Sequence, residues 1–341
     1  DRVVLFKSNS VELSLLAFAV MRLGAVVIPV NAQYRSAEVE YIITHSQAGT
    51  VITDGATRSN VTPGSPAMSF VRDWLELDAA PPSLFESFAS LLASAAPAPP
   101  VPLGEDDPVG IFYTSGTTGR PKGAVLTNKG FLFHVRRSLR MGTFIPKRNI
   151  HAILHALPLT HIMGFLVFLG MFCSGNPIVF LGSFDAKKAI GVIERYGVTL
   201  FVGVPAMYGM ILQEKIPNGA LQSMRVLVSA ADVLPPEWAE KIRELASRPF
   251  LGMFRKRPIF AEFYGQVETT GVTCGKLSLP FVKYDAGCVG RRMPGVEVKI
   301  MGADGKEVKK GEVGEVVVKG DNVLKGYWGS EERWSARVLL A

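Results

Sequence analysis

The feature that most constrains the fold is an alternation of strand and helix patterns in the first 54 residues. Residues 3–6 (VVLF), 25–30 (AVVIPV) and 50–54 (TVITD) are short apolar runs typical of strands, and Val11–Gly24 and Ser36–Ser46 between them have helical patterning. Strands that alternate with helices pair in parallel in a sheet that the helices cover. The sequence therefore predicts an α/β fold with layered, mostly parallel sheets flanked by helices.

A long stretch without charge occupies the middle of the chain. No Asp, Glu, Lys or Arg occurs from Asn149 to Phe184, but the longest uninterrupted apolar piece, residues 163–173, is shorter than the about 20 residues that a membrane-spanning helix needs. A strand, a buried helix and a second strand of an α/β core fit this stretch better than a membrane span. We expect at most a peripheral association with a membrane.

Composition divides the chain into four expected ranges. Seven of the 22 prolines fall between Pro81 and Pro108, which indicates a surface connection before the next strand. After Gly287, short apolar runs separated by glycines predict a small, distorted β-barrel-like subdomain. The expected ranges are a first α/β part at 1–108, a second α/β part that binds the ligands at 109–286, a β-rich closing subdomain at 287–332 and an atypical tail at 333–341.

The charge balance and the cysteines limit the class of protein. The chain has 37 Lys and Arg against 30 Asp and Glu, a net charge of +7, and its densest basic run is only Arg255–Arg257. Because no run reaches the length of a basic arm, we expect no nucleic-acid partner. The three cysteines form neither a disulfide framework nor a CxxC pair, which favours a reducing, cytoplasmic location. The oligomeric state is left open.

The strongest chemical signal is a glycine-rich loop at 113–123, Tyr-Thr-Ser-Gly-Thr-Thr-Gly-Arg-Pro-Lys-Gly, which follows the apolar strand 109–114. Its glycines let backbone N–H groups approach a ligand, its hydroxyls add donors, and Arg120 and Lys122 add positive charge. A polar hairpin turn needs fewer glycines and no lysine. A Walker loop would have Ser or Thr where Gly123 stands. The loop therefore predicts a polyphosphate-binding site.

This loop resembles the phosphate-binding signature of the adenylate-forming (AMP-binding) superfamily, in particular its acyl-CoA synthetases and fatty-acid–CoA ligases. Further blocks follow in the family's order. Residues 156–164 resemble the block that lines the acid pocket, 225–237 the block beside the adenine, and 264–270 the block at the phosphates and magnesium. The resemblance covers about residues 1–332.

The resemblance implies a two-step ligase reaction. A carboxylic acid, fatty or otherwise apolar, attacks the α-phosphate of ATP and gives acyl-AMP and pyrophosphate, and CoA then takes the acyl group. ATP, Mg²⁺ and CoA are the implied cofactors and co-substrates. Two alternatives stay open: an acyl-AMP ligase that passes the acyl group to a carrier protein, and a catalytically impaired or vestigial nucleotide-binding fragment.

The resemblance also implies roles for residues at matching positions. The implied catalytic residues are Lys122, Glu268 and Thr118, and the implied metal ligands are Thr114 and Glu268. The implied ATP-binding residues are Thr114, Ser115, Gly116, Thr117, Thr118, Gly119, Lys122, Ser229, Ala230, Ala231, Tyr264, Gly265, Gln266 and Val267. The implied acid-pocket residues are His161, Met163, Gly164, Val204 and Met207.

The acid-pocket block has no acidic residue that could pair with the ammonium group of an amino acid. An unpaired ammonium would be costly there, so we expect an alkyl or an aryl acid. Buried Met and Phe at these spacings also fit a plain hydrophobic core. His161 either gates the pocket or is a core histidine. A zinc site at His151 and His155 is disfavoured, because HAILH offers no third ligand.

Several departures from the family's pattern bear on activity. Val267 stands where the family usually has Thr, and the loss of one such donor can cost about 10²–10³ in rate. A second departure is Glu262, shortly before Tyr264, and a third and mild one is Ala230–Ala231 in place of a glycine-containing pair. After residue 332 the chain reads RWSARVLLA, where the family continues to a C-terminal catalytic domain. We therefore expect an N-terminal large-domain fragment that lacks this domain.

Overall fold

The structure is a computed structural model. It describes residues 1–78, 86–114, 120–144, 152–250, 254–282, 284, 287–330 and 338–340. In chain order, its helices and strands are β1 (Arg2–Phe6), α1 (Val11–Arg22), β2 (Val26–Val30), α2 (Ser36–Ser46), β3 (Thr50–Thr53), β4 (Asp73–Glu76), β5 (Glu86–Ser87), α3 (Phe88–Ser94), β6 (Pro108–Thr114), β7 (Lys122–Thr127), α4 (Asn128–Phe144), β8 (Ile153–His155), α5 (Ile162–Ser174), β9 (Ile178–Phe180), α6 (Ala186–Tyr196), β10 (Leu200–Gly203), α7 (Pro205–Gln213), β11 (Val226–Ala230), α8 (Pro236–Leu245), β12 (Arg248–Phe250), β13 (Phe254–Lys256), β14 (Ile259–Gln266), β15 (Gly271–Ser278), β16 (Arg291–Arg292), β17 (Val296–Met301), β18 (Glu315–Gly320), β19 (Gly326–Tyr327) and β20 (Val338–Leu340). Short 3-10 helices cover Arg58–Asn60, Pro66–Met68 and Val267–Thr269.

The chain divides into two compact units. Unit 1 comprises Asp1–Phe131, Pro158–Ile162 and Leu324–Ser335, and unit 2 comprises Leu132–Leu157, Met163–Val323 and Ala336–Ala341. The ranges predicted from composition place a boundary at residue 108, whereas the first segment of unit 1 continues to Phe131. The contacts group residues 109–131 with unit 1, because β6 and β7 extend the sheet that β1 and β2 begin.

The sheet of unit 1 confirms the strand and helix alternation of the first 54 residues. β1 pairs in parallel with β2 on one side and β3 on the other, so that Leu5 is opposite both Pro29 and Ile52. Within the described residues the strand order is β19-β7-β6-β2-β1-β3-β4-β5. Every residue of β2 is buried, as expected for a parallel strand covered on both faces. Ser10 caps the start of α1, because its hydroxyl accepts a hydrogen bond from the Leu13 amide.

Most of the uncharged stretch belongs to unit 2, and its two strands are part of the unit 2 sheet. Its strand order in the described residues is β16-β15-β14-β11-β10-β8-β9, with β9, β8, β10, β11 and β14 parallel and β15 and β16 antiparallel. β8, α5 and β9 are the strand, helix and strand expected between Asn149 and Phe184. Within the described residues, no helix has the length and apolarity needed to cross a membrane.

The β-rich segment near the C-terminus differs from the expected barrel-like subdomain. β17 and β18 pair in antiparallel, with Val298 opposite Val318, and β20 pairs with the other edge of β18. The described strands thus form a three-stranded open sheet and no closed barrel. β19, which follows in the same expected range, pairs instead with β7 of unit 1. The short strands were correctly indicated by the sequence, but their partners depend on long-range pairing that a local pattern does not specify.

In unit 2, α4 and α5 approach closely at a glycine. A Cβ atom built on Gly170 of α5 would lie 2.4 Å from Oγ and 2.8 Å from Cβ of Ser138 on α4. Rotation of the serine hydroxyl would relieve only the first of these two contacts. The glycine therefore sets the distance between the two helices.

We expect Gly170→Ala to lower the free energy of unfolding by about 1–3 kcal/mol, because the added methyl group overpacks this contact. Gly191 lies inside α6 with no atom within 4 Å of its virtual Cβ, which makes Gly191→Ala a matched control. That substitution should raise the free energy of unfolding by about 0.5–1 kcal/mol through helix propensity. Denaturant unfolding measures both, and equal effects of the two substitutions would contradict the packing argument.

Candidate functional site

The glycine-rich loop connects two adjacent strands of unit 1. β6 and β7 pair in antiparallel, and Thr114 at the end of β6 is opposite Lys122 at the start of β7. The central residues of the loop lie outside the described residues: Ser115, Gly116, Thr117, Thr118 and Gly119. The hairpin places one hydroxyl group and one ammonium group at the two ends of the loop.

The exit of this loop is held by an aromatic side chain of α2. The Tyr41 hydroxyl donates to the Pro121 carbonyl at 3.0 Å, and the Arg120 guanidinium lies 5.7 Å from the centroid of the Tyr41 ring. The Nζ atom of Lys122 lies 5.4 Å from the ring centroid of Tyr327 on β19. Contacts of a cation with an aromatic face restrict the cation without neutralising its charge. The structure therefore fixes the basic end of the loop.

Ser229, Ala230 and Ala231 lie at the carboxyl end of β11 in unit 2. Ser229 is buried, and its hydroxyl has no hydrogen-bond partner in the described part of the chain. Ala231 has a φ of 76°, in the left-handed region that costs a non-glycine residue about 1 kcal/mol. The replacement of a glycine-containing pair thus has a structural cost. Ligands of α/β sheets commonly bind beyond the carboxyl ends of parallel strands, and backbone strain is common at such sites.

Tyr264, Gly265 and Gln266 form the end of β14, where the ladder with β15 is irregular. The register shifts between Tyr264 and Gly265, so that Gly265 is opposite Val272. A Cβ atom on Gly265 would lie 1.9 Å from the carbonyl oxygen of Gly271, a contact with backbone that no side-chain rotation relieves. Burial raises the pKa of Tyr264, with a smaller contribution from Cys274. Only glycine fits this position of the hairpin.

Thr269 organises the turn that contains Val267 and Glu268. Its hydroxyl accepts a hydrogen bond from the Gln266 amide at 3.2 Å and lies 2.8 Å from the Gly271 carbonyl, to which it donates. The Thr273 hydroxyl donates to it at 3.0 Å, and the Asn322 amide donates to the Thr269 carbonyl at 2.9 Å. Glu268 is half-buried within the short helix that these bonds define. Its carboxylate is a hard oxygen ligand, the type that Mg²⁺ prefers.

The roles of Thr269 and Asn322 could not be predicted from the sequence. Asn322 lies 53 residues from the carbonyl that it contacts, so no local spacing connects them. Thr270, the next residue, is fully buried with a φ of 43°, which is a rare conformation for a β-branched side chain. Thus backbone strain and a dense hydrogen-bond network coincide beside the implied metal ligand.

Glu262, which departs from the family's pattern, has local partners in the sheet. It is opposite Lys276 on β15, whose ammonium lies 2.7 Å from its carboxylate, and it accepts a hydrogen bond from the Tyr284 hydroxyl. A charged pair that is this well shielded from water is stable only when both charged groups have ion-pair or hydrogen-bond partners. Lys276 and Tyr284 therefore supply partners for the carboxylate that departs from the family's pattern.

The implied acid-pocket residues fall in both units. His161 belongs to unit 1, whereas Met163, Gly164, Val204 and Met207 belong to unit 2. Met207 is buried in the hydrophobic core of unit 2, which fits the plain-core alternative. Met163 and Val204 are half-buried and pack against that core. Their assignment to a pocket stays a prediction.

The histidines of this region have lowered pKa values. Neighbouring atoms partly desolvate His161 and lower its pKa. His155 is buried, donates from Nε2 to the Gly164 carbonyl at 2.9 Å and stacks on Phe180, and burial lowers its pKa to about 4. His151 lies outside the described residues. In the part of the chain that is described, no group of three His, Cys, Asp or Glu side chains could hold a metal ion.

Comparison with known proteins gives one consistent family. Residues 1–328 match the family of AMP-binding enzymes. The long-chain-fatty-acid–CoA ligase FadD13 of Mycobacterium tuberculosis is 32% identical, over 97% of this chain and 62% of its own length. The indoleacetate–CoA ligase of Aromatoleum aromaticum is 28% identical over the same shares of the two chains.

Solved structures agree with this result. ATP-bound MatB from Rhodopseudomonas palustris superposes with a TM-score of 0.79 at 28% identity, over 97% of this chain and 62% of MatB. A structure from the same species, described as a long-chain-fatty-acid CoA ligase, has a TM-score of 0.81 at 26% identity, over 98% and 79% of the two chains. The chain thus belongs to the AMP-binding enzyme family, and it spans 62% of the length of FadD13.

We expect Thr269→Val to lower the free energy of unfolding by about 2–3 kcal/mol, because the half-buried Gln266 amide and Gly271 carbonyl both lose their hydrogen bond to the Thr269 hydroxyl. Thr273→Val is the matched control, since Thr273 is equally buried but only donates one hydrogen bond to the same hydroxyl. Its cost should be about 1 kcal/mol. Chemical denaturation measures both variants. Equal losses of unfolding free energy in Thr269→Val and Thr273→Val would show that Thr269 does not organise the turn.

Proposed function

We propose that this chain binds ATP and activates a carboxylic acid as the acyl adenylate, and that CoA takes the acyl group in the whole protein. The observation that carries the proposal is the hairpin of β6 and β7, with Thr114 and Lys122 at the two ends of the glycine-rich loop, in a member of the AMP-binding enzyme family. The names of FadD13 and of the indoleacetate–CoA ligase support the ligase reaction, and ATP-bound MatB supports the nucleotide.

The roles of the loop residues follow from charge. ATP brings several negative charges that must be neutralised before a carboxylate can approach its α-phosphate. The Lys122 ammonium and the backbone N–H groups of the loop would bind the phosphates, as implied for Thr118 and its neighbours. Thr114 and Glu268 would hold Mg²⁺, which supplies further positive charge when bound. The reaction then depends mainly on alignment of the carboxylate of the acid with the α-phosphate of ATP.

The acid is proposed to be apolar along most of its length. Met163 and Val204, the half-buried members of the implied pocket in unit 2, offer thioether and aliphatic surface. FadD13 is named for long-chain fatty acids and the second relative for indoleacetate, so alkyl and aryl acids both have support. The acid itself, the thiol acceptor and the oligomeric state stay open.

One observation favours a second candidate, a nucleotide-binding protein without turnover. Val267 supplies no hydroxyl group where the family usually has Thr. Acid-dependent exchange of pyrophosphate into ATP, in the presence of Mg²⁺, distinguishes the two candidates. Exchange that requires an acid supports the ligase. Nucleotide binding without exchange for any acid supports the second candidate, and absence of nucleotide binding would contradict both.

We expect Lys122→Met to weaken binding of Mg²⁺–ATP by about 10- to 100-fold, because a charge-assisted hydrogen bond to phosphate is lost. Isothermal titration with ATP measures this change. Lys319→Met is a control, because Lys319 is a largely exposed lysine on β18 whose recorded ion pair is with Glu297. An unchanged affinity in the Lys122 variant would refute its role in binding phosphate.

We expect Glu268→Gln to bind ATP normally in the absence of metal. The variant should lose most of the increase in ATP affinity that Mg²⁺ causes. The amide is nearly isosteric but a much weaker ligand for a hard cation. The rate of pyrophosphate exchange should fall by about 10²-fold or more. Titration of Mg²⁺ at fixed ATP is the measurement. Glu297→Gln on β17 serves as the exposed control, and an unaltered Mg²⁺ dependence would exclude Glu268 as a ligand.

A further inference from the structure

A buried histidine of α4 lies against the turn that follows Glu268. His134 is more than nine-tenths buried, and its imidazole ring forms a hydrogen bond with the backbone of Thr269. Its Nε2 atom has no hydrogen-bond partner among the described residues. Burial, and secondarily the charge of Arg137, lowers its pKa to about 4, so that the ring is neutral at physiological pH. Because the bond to the Thr269 carbonyl uses the ring N–H, Nε2 presents a lone pair that can only accept a hydrogen bond.

Arg137 lies three residues further along the same face of α4. Its guanidinium is 4.6 Å from the centroid of the Phe133 ring. Both terminal nitrogens are shielded from solvent and lack a hydrogen-bond partner in the described part of the chain. Burial lowers its pKa to about 10, which leaves it charged. Arg137 therefore offers buried donors beside the buried acceptor of His134.

Gly271 lies between His134 and α5, the helix that contains Met163. A Cβ atom on Gly271 would lie 3.6 Å from His134 Nε2 and 2.9 Å from Cδ1 of Leu166 on α5. Leu166 is three residues from Met163, so the two share a face of α5. The unpartnered acceptor therefore lies next to the helix face that is proposed to line the acid pocket in unit 2.

Thr270 adds a third buried polar group at this position. It lies between Thr269 and Gly271, the two residues in contact with His134, and its hydroxyl has no partner among the described residues. It is also the residue with the left-handed φ of 43°. Unpartnered buried polar groups are costly and rare in folded proteins. Backbone strain clusters at active sites and ligand-binding sites.

We propose that His134 and Arg137 bind a hydroxyl group of the acid, so that the substrate is a hydroxylated alkyl or aryl acid. This inference rests on the proposed function and specifies the substrate class of the same site. A hydroxyl group donates its proton to His134 Nε2 and accepts from the Arg137 guanidinium, which satisfies both at once. The two side chains are specificity-determining residues rather than catalytic ones.

A carboxylate fits this pair less well than a hydroxyl group. It would accept from Arg137 but offers no proton to Nε2, and protonation of His134 itself is opposed by its burial. An unsubstituted acid would leave both groups without partners. A site with buried polar groups discriminates strongly against a ligand that cannot pair with them.

Direct binding to the chain tests the proposal with two matched series of acids. One series is octanoate, 8-hydroxyoctanoate and octanedioate, and the other is phenylacetate, 4-hydroxyphenylacetate and 4-carboxyphenylacetate. Titration calorimetry gives the dissociation constants in the presence of ATP. In at least one series, the hydroxylated acid should bind about 10-fold or more tightly than its unsubstituted partner.

Three variants separate a binding role from a structural one. In Arg137→Met, which keeps an apolar stem over Phe133, and in His134→Leu, the preference for the hydroxylated acid should fall to within about twofold. The melting temperature of Arg137→Met should stay equal or rise, because two unpartnered donors are removed. Arg136→Met, at the exposed neighbouring arginine, should leave the preference unchanged.

Each result has a defined consequence. Equal binding of hydroxylated and unsubstituted acids in both series, tighter binding of the dicarboxylates, or no binding of either hydroxylated acid would overturn the proposal. So would a preference that survives both the Arg137 and the His134 variants. Pyrophosphate exchange driven by octanoate or phenylacetate, with no hydroxyl preference, would leave the proposed function standing without this inference. Loss of ATP binding in the unmodified chain would instead refute the proposed function.

Discussion

The contact between Gly265 and the carbonyl oxygen of Gly271 determines the geometry of the turn in unit 2. With a virtual Cβ only 1.9 Å from that oxygen, the two strands can approach so closely only because residue 265 is glycine. The approach forces the register shift at Tyr264 and the tight turn that contains Glu268. The hydroxyl of Thr269 then supplies the backbone hydrogen bonds that the irregular ladder lacks. Every later feature of this region depends on that turn.

The same turn concentrates polar groups that the fold leaves without partners. Thr270 is held in a left-handed conformation, and its hydroxyl and Nε2 of His134 have no partner within the described residues. Several other buried polar side chains of unit 2 have partners. Glu262 is matched by Lys276 and Tyr284, and the completely buried Arg243 donates to two carbonyls and to Glu240. At this turn the unpartnered groups coincide with backbone strain at Thr270, which supports a ligand-binding role for the turn.

Much of the fold could be predicted from local patterns. The three strands and two helices of the first 54 residues appear within about two residues of their predicted bounds, because apolar runs and helical spacing act over a few residues. The partners of the last strands could not be predicted. β19 joins unit 1 and β17 joins β18, and these pairings depend on contacts across long loops. For the same reason the local pattern predicted a distorted β-barrel-like piece where the described strands form an open three-stranded sheet.

Local sequence was enough to identify the family and the glycine-rich loop, because the residues of such a loop are adjacent in the chain. It also supplied Lys122, Glu268 and the expected ligand chemistry. The residues that pack against the turn containing Glu268 could be identified only from the folded structure. Asn322 and His134 come from parts of the chain far from Thr269, and burial within unit 2 shields all three from water. The need of each buried polar group for a partner arises from folding and has no signature in the linear chain.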